Sequence, residues 1–324
     1  MRHVIVTERN LAEVVAQAAA TLRAGELVAL PTETVYGLAA DAANGQAVAR
    51  IFAAKGRPRF NPLICHVTDI EMARCYGVFD ARSQRLAQEF WPGPLSLVLP
   101  LAEGATVHPL VTAGLSTVAL RAPRGAARAV ITAFGGALAA PSANRSGRIS
   151  PTTAEHVIDE LGEAVEIVLD AGPCAVGLES TIVSLAAGGP RLLRPGGVSA
   201  EAIETILGTK LGRAAPDDPV SAPGMLASHY APRLPVRLNA ASVAPCEALL
   251  AFGNAAIAGA NEAAATRNLS PSGNLVEAAA NFFAYLAELD RSGASAIAVA
   301  PIPPDGLGEA INDRLQRAAR SRRG

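Results

Sequence analysis

A chain of 324 residues is too long for one ordinary core, so one large and one smaller domain is the expected organisation. Half of the residues are hydrophobic and 18% are charged, which excludes a disordered chain, and no apolar run nears the roughly 20 residues of a membrane helix. A net charge of −1 lacks the basic excess of a protein that wraps nucleic acid.

Met1-Arg2-His3-Val4 passes into polar Thr7-Glu8-Arg9-Asn10 without the apolar stretch of a secretory signal, which predicts a cytoplasmic protein. Cys65, Cys75, Cys174 and Cys246 are scattered and read as free thiols, neither a disulfide framework nor a zinc site. Of the 28 basic residues only Lys55 and Lys210 are lysines. In so arginine-rich a chain, Lys55 marks a place where a compact ammonium matters.

Asn10 with Glu13 resembles a capping box ahead of Leu11, Val14, Val15, Ala18 and Leu22 at helical spacing, and Gly25 closes that helix. Strands are predicted over 27–30, 63–67, 95–99, 117–120, 136–140, 167–169, 181–185 and 191–193. Helices are predicted over 47–54, from a cap at Thr152 or Thr153 to Leu161, and over 199–207 up to Gly208. Interleaved helices and strands over residues 1–208 argue for one α/β domain around a twisted mixed sheet. Residues 209–235 have linker composition, with Pro216, Asp217, Asp218, Pro219, Pro223, Gly224, Pro232 and Pro235. The same stretch holds Met225, Leu226, His229 and Tyr230, so part of it is expected to pack over something. Residues 236–324 follow with strands over 248–252 and 296–300. A helix faces inward with Leu275, Val276, Ala279, Phe282, Phe283 and Leu286 behind an Asn274/Glu277 capping pattern, and a last helix covers 307–319. This predicts a small Rossmann-like parallel α/β domain. Arg314, Arg317, Arg320, Arg322 and Arg323 read as the solvated end of the last helix.

No Walker loop, GxGxxG, HExxH or GxSxG is present, and no two of the five histidines have metal-ligand spacing. Five short polar segments and two single side chains carry the chemistry instead. Pro31-Thr32-Glu33-Thr34-Val35-Tyr36-Gly37-Leu38 sets hydroxyls and a carboxylate at a strand end, where open sheets bind ligands. Lys55-Gly56-Arg57-Pro58, with Asn61-Pro62, presents two cations suited to a polyphosphate. His66 interrupts an apolar strand, and Arg121 ends another with a fork suited to a carboxylate. Pro141-Ser142-Ala143-Asn144-Arg145-Ser146-Gly147 offers donors for phosphate oxygens or a magnesium-bound water. Gly177-Leu178-Glu179-Ser180-Thr181 and Leu193-Arg194-Pro195-Gly196 complete the set.

In this order, with Trp91-Pro92-Gly93-Pro94-Leu95 between, the segments resemble the threonylcarbamoyl-AMP synthase family and its YrdC-like catalytic domain over residues 8–208. Pro223-Gly224-Met225, Ser228-His229-Tyr230-Ala231-Pro232 and the extra domain resemble the long two-domain form of that family. Ala231 departs from a serine expected in many relatives. The resemblance implies that ATP, L-threonine and bicarbonate condense, with Mg²⁺, to threonylcarbamoyl-AMP and pyrophosphate. A separate transferase complex then carries the group to adenosine 37 of tRNAs that read ANN codons. It implies Lys55, Arg57, Ser142 and Asn144 as the catalytic signature. Arg57, Asn61, Thr117, Asn144, Thr152, Arg194 and Tyr230 are implied as ATP contacts. Thr34, His66, Arg121, Ser142 and Ser180 are implied as the threonine pocket. The register of Thr117, of Thr32 against Thr34 and of Ser180 against Thr181 stays open, as do the role of Glu33 and direct contact with tRNA. No dedicated metal ligands are implied, since the phosphates carry Mg²⁺. Related hydrogenase-maturation carbamoyltransferases need acylphosphatase and zinc-finger modules for which this chain has neither length nor cysteines. A non-enzymatic RNA-binding module fits neither the charge nor the small-molecule segments.

Overall fold

The computed structural model describes residues 1–186, 188–215, 218–225 and 229–320. Eleven strands form one mixed sheet. In chain order they are β1 (Arg2–Ile5), β2 (Val28–Leu30), β3 (Gly37–Asp41), β4 (Ile64–His66), β5 (Leu95–Pro100), β6 (Thr117–Arg121), β7 (Leu138–Ala139), β8 (Ile167–Asp170), β9 (Thr181–Ser184), β10 (Arg191–Arg194) and β11 (Gly212–Arg213). Their spatial order is β1-β8-β2-β3-β7-β4-β6-β5-β9-β10-β11. The helices among them are α1 (Leu11–Arg23), α2 (Gly45–Lys55), α3 (Ile70–Arg74), α4 (Ala81–Phe90), α5 (Pro109–Thr112), α6 (Ala126–Phe134), α7 (Ala154–Leu161) and α8 (Ala200–Leu207). A second sheet, in the order β12-β15-β13-β14, is parallel throughout. Its strands are β12 (Val236–Arg237), β13 (Ala248–Ala251), β14 (Ala265–Asn268) and β15 (Ile297–Val299), with α9 (Leu275–Asp290) and α10 (Leu307–Arg320) packed together beside it. Both sheets agree with the predicted fold class.

Local chemistry sets the helix ends. Asn44 accepts from the backbone N–H groups of Gln46 and Ala47 to start α2, and Gly56 closes it at φ 60°. Thr153, not Thr152, caps α7. The expected capping box at Asn10 does not form. The Asn10 carboxamide oxygen accepts from the backbone N–H and hydroxyl of Thr7, so a local turn takes the cap's acceptor. At α9 only half of the box exists: Asn274 accepts from Val276 and Glu277, while the Glu277 carboxylate is drawn away to Ser270.

Alternating side chains divide the large sheet between two cores. On one face, Val28, Leu30, Leu138, Ile167 and Leu169 pack on α1 and α6. On the other, Cys65, Leu97, Leu120 and Val183 join Val48, Ile51 and Leu86 in the main core. Around β4, β6, β9 and β10 the face opposite that core carries Ile64, Ala119, Ile182 and Leu193. Among the described residues, no helical side chain joins that cluster. Ala222 and Met225 of the linker do, and that arrangement leaves room for a site.

Candidate active site

The polar segments, remote in sequence, are stitched together through their backbones. Tyr36 N–H donates to Pro151, and Ala143 N–H donates back to Tyr36. Ser146 N–H donates to the Lys55 carbonyl, Val176 N–H to Glu33 and Ala231 N–H to Gly147. Gly196 lies so close to the neighbouring strand that a Cβ there would sit 2.4 Å from the Glu179 carbonyl, which leaves no room for any side chain.

A cleft of about 540 Å³, open mouth included, runs over this face of the sheet. His66 and Arg121 are register partners on parallel β4 and β6, and both line the cleft. Thr32, Arg57, Ser142, Ser180, Arg194 and Tyr230 line it as well. The site thus lies along the sheet face as well as at the strand ends expected for it. Thr117 shares the alternate face of β6 with Ala119 and Arg121 but sits four residues, about 13 Å, from Arg121 and does not line the cleft. Thr152 does not line it either, although its buried hydroxyl has no partner among the described residues.

Four expected site residues, Thr34, Lys55, Asn61 and Asn144, are buried but do not line the cleft. Thr34 is fully buried, with its hydroxyl 2.9 Å from that of Thr32, and Thr32 is the one that faces the cleft. Lys55 does not project into the open space. Its ammonium donates to the carbonyls of Ser142, at 2.6 Å, and Asn144, so it draws the serine–asparagine loop against α2. Burial, and then the charge of Arg57, push the lysine pKa well below its ordinary value. Arg57 is lowered to about 10 by burial and by Arg194. Its guanidinium donates to the carbonyls of Asn61 and Pro62.

The Ser180/Thr181 ambiguity has a geometric answer. Ser180 Oγ faces the cleft 2.7 Å from Ser96 Oγ, whereas Thr181 Oγ1 donates to the Val198 carbonyl and accepts from the Val198 N–H. Glu33, left without a role by the sequence, accepts from Arg121 at 2.7 Å and from the Arg124 N–H at 2.9 Å. Burial raises its pKa, but the arginine and the N–H outweigh that and leave it lowered. The side-chain amide atoms of Asn61, Oδ1 of Asn144 and Nε2 of His66 are buried without hydrogen-bond partners among the described residues. Such orphans mark a place for a polar ligand.

The linker enters the site at His229 and Tyr230, both buried; Leu226 and Ser228 lie outside the described residues. Tyr230 has φ 62°, a strained conformation for a side chain of its size. It belongs to the core of the C-terminal domain with Phe282 and Phe283, as do Val35 and Leu178 from the catalytic segments. Arg314 corrects the sequence reading most sharply. It is fully buried, and its guanidinium donates to Glu179 at 3.1 and 3.2 Å. The inward stripe of Ile311, Leu315 and Ala318 on α10 was the available signal, since Arg314 falls within it. Arg317 pairs with Asp313, and Arg322 and Arg323 lie outside the described residues.

A family model described as telomere recombination matches residues 20–196, and one described as the C-terminal domain of threonylcarbamoyl-AMP synthase matches residues 198–320. The threonylcarbamoyl-AMP synthase of Bacillus subtilis is 40% identical over 324 residues, which cover 95% of this chain and 93% of that one. The threonylcarbamoyl-AMP synthase of Pyrococcus abyssi is 38% identical and covers 93% of each chain. The solved structure of P. abyssi Sua5 complexed with L-threonine superposes with a TM-score of 0.88, at 35% identity, and covers 99% of this chain and 98% of that one. Fold, ordered segments and relatives agree over both domains, and the chain belongs to the threonylcarbamoyl-AMP synthase family.

Proposed function

We propose that this protein condenses L-threonine, bicarbonate and ATP into threonylcarbamoyl-AMP and pyrophosphate, as a nucleotidyltransferase that supplies tRNA modification. The observation that carries the reading is the charge buried around one cleft. Arg57, Arg121 and Arg194 line it and Lys55 lies behind the lining, each at most 8% exposed, with the buried Glu179 and the half-buried Glu33 as the carboxylates beside them. Unbalanced buried cations are costly unless an anion compensates. A nucleoside triphosphate and an amino acid carboxylate supply that anion.

The threonine carboxylate is assigned to Arg121, with His66, Thr32 and Ser180 around the rest of the amino acid. Arg57, Arg194 and the Ser142–Asn144 loop are assigned to the triphosphate, with Asn61 and Tyr230. The threonine amine and bicarbonate form a carbamate with loss of water. A carbamate oxygen attacks the α-phosphorus, and pyrophosphate leaves with the displaced electron pair. No protein nucleophile is required, and the work left to the chain is positioning and charge stabilisation. Among the described residues no three His, Cys, Asp or Glu side chains gather as a metal site. The donors beside the cations are instead hard oxygens, the Ser142 hydroxyl and the orphaned Asn144 Oδ1. These fit a magnesium ion carried in on the phosphates, where it would neutralise the leaving pyrophosphate. The L-threonine bound in the P. abyssi relative supports the choice of amino acid.

The test is pyrophosphate release from MgATP, with threonine and bicarbonate omitted in turn. Dependence on both is expected. Release with neither would make the protein a plain nucleotide hydrolase.

A further inference from the structure

The mechanism above leaves one buried cation without a task, and it comes from the other domain. Arg314 projects from α10 with no exposure to solvent. Its Nε and Nη2 donate to Oε2 of Glu179 at 3.2 and 3.1 Å. Nη1 donates to the Pro195 carbonyl and, at 3.2 Å, to Asp313. The guanidinium carbon stands 5.3 Å from the centroid of the Tyr230 ring, within the range of a cation–π contact. One planar fork therefore touches three segments that build the cleft, beside Ser180, beside Arg194 and at the linker tyrosine.

We propose that Arg314 is a positioning residue for the nucleotide end of the site: it holds the Glu179 carboxylate away from the cleft cations and fixes the ring of Tyr230. The proposal rests on the ATP reading above. Glu179 lines the cleft, and its other oxygen accepts from the Ser150 hydroxyl. Held at both oxygens, it cannot swing toward Arg57 and Arg194. Without Arg314 one oxygen is released, and the carboxylate's nearest remaining cation is on the phosphate side, where it competes with the ligand for Arg194. Tyr230 at the same time loses the charge stacked on one face. Its packing on Phe283, 5.7 Å between ring centroids, and the tilted contact with His229 remain, but neither fixes the face that the charge covered. An apolar residue at 314 would fill the α10 stripe without the desolvation cost of a guanidinium, but it would hold neither group.

The proposal makes a prediction that a purely structural salt bridge does not. If the loose carboxylate does the harm, neutralising it repairs the damage. Full-length wild type, Arg314→Met and Arg314→Met/Glu179→Gln are titrated with MgATP. Chymotrypsin cleavage after Tyr230 is followed by mass spectrometry on the same samples. The single variant is expected to bind MgATP at least tenfold more weakly and to be cut faster at the Tyr230–Ala231 bond. The double variant is expected to recover most of the affinity. Wild-type affinity in the single variant, or no recovery in the double, overturns the proposal. Should the methionine variant fail to fold, Arg314→Lys carries the test, because it keeps a cation without the two-point grip. About threefold weaker MgATP binding supports the proposal and unchanged binding overturns it. A wild type that binds no MgATP sinks the ATP reading itself. In that case faster cleavage after Tyr230 in the variant still supports the Arg314 contact, and unchanged cleavage overturns it.

Discussion

The Glu33 carboxylate and the Arg121 guanidinium meet at 2.7 Å, with side-chain exposures of only 9% and 4%. Arg121 also donates through Nε to the Gly93 carbonyl, so the fork reaches the cleft in a fixed orientation. Glu33→Gln should keep the size of the side chain and loosen this hold. The expected result is a KM for threonine raised about tenfold with the KM for ATP nearly unchanged, since a charge-assisted hydrogen bond of this kind contributes about 1.5–3 kcal/mol. Steady-state pyrophosphate release measures both constants. An equal rise in the two would show that Glu33 supports the whole cleft rather than the amino acid end.

Lys55 makes a different demand. Its ammonium occupies the gap between two carbonyls, those of Ser142 and Asn144. A planar guanidinium does not fit a gap of that shape. Lys55→Ala should lower kcat/KM at least a hundredfold, through loss of the loop's position. Lys55→Arg should restore little of it. Near-wild-type activity in the arginine variant would refute the shape argument.

Tyr230 is held in a left-handed conformation between the cleft and the C-terminal core. Tyr230→Ala is expected to raise the KM for ATP at least fivefold, as the wall of the nucleotide end is lost. Unchanged kinetics would remove the linker from the site.

The buried titratable groups give the folded state an acid limit. His66 is held below the ordinary histidine value by burial and then by Arg121, and His229 by burial and then by Arg57, Lys55, Arg194 and Arg314. Glu33 and Glu179 are also lowered, because their arginines outweigh the raising effect of burial. In every case the unfolded chain takes up its proton at a higher pH than the folded one, so stability rises with pH. The histidine contribution is complete above about pH 6.5 and is lost as the pH falls toward the lowered folded values. The carboxylate contribution is complete above about pH 4.3 and is lost below it. Urea midpoints taken from pH 8 to pH 4 should therefore fall well before the carboxylates titrate. His66→Gln should flatten the first part of the decline, and a wild-type profile that stays level down to pH 5 would contradict this account.

Much of the scaffold was legible because its signals are local. The apolar runs of β4, β5, β6 and β9, and the glycine stops after α1 and α8, stand in consecutive residues. β3 was not legible, since Gly-Leu-Ala-Ala-Asp has no alternation to show, and β1 and β12 are short pieces whose pairing comes from remote strands. The ordered polar segments marked the cleft, but not which residues face it. Thr32 and Thr34, or Ser180 and Thr181, are told apart only by what packs on them. Glu33, Glu179 and Arg314 escaped because their partners lie 88 and 135 residues away. No sequence window holds both halves of either pair.

The core that joins Val35, Leu178 and Tyr230 to Phe282 and Phe283 has a consequence for cooperativity. A Cβ added to Gly177 would stand 2.3 Å from the Ala279 carbonyl on α9, so the two domains touch backbone to backbone as well as through side chains. Neither half can melt without uncovering apolar surface that the other half now hides. The chain should unfold in one transition, and a chimera that exchanged the C-terminal domain at the linker would inherit a mismatched seam rather than a neutral joint.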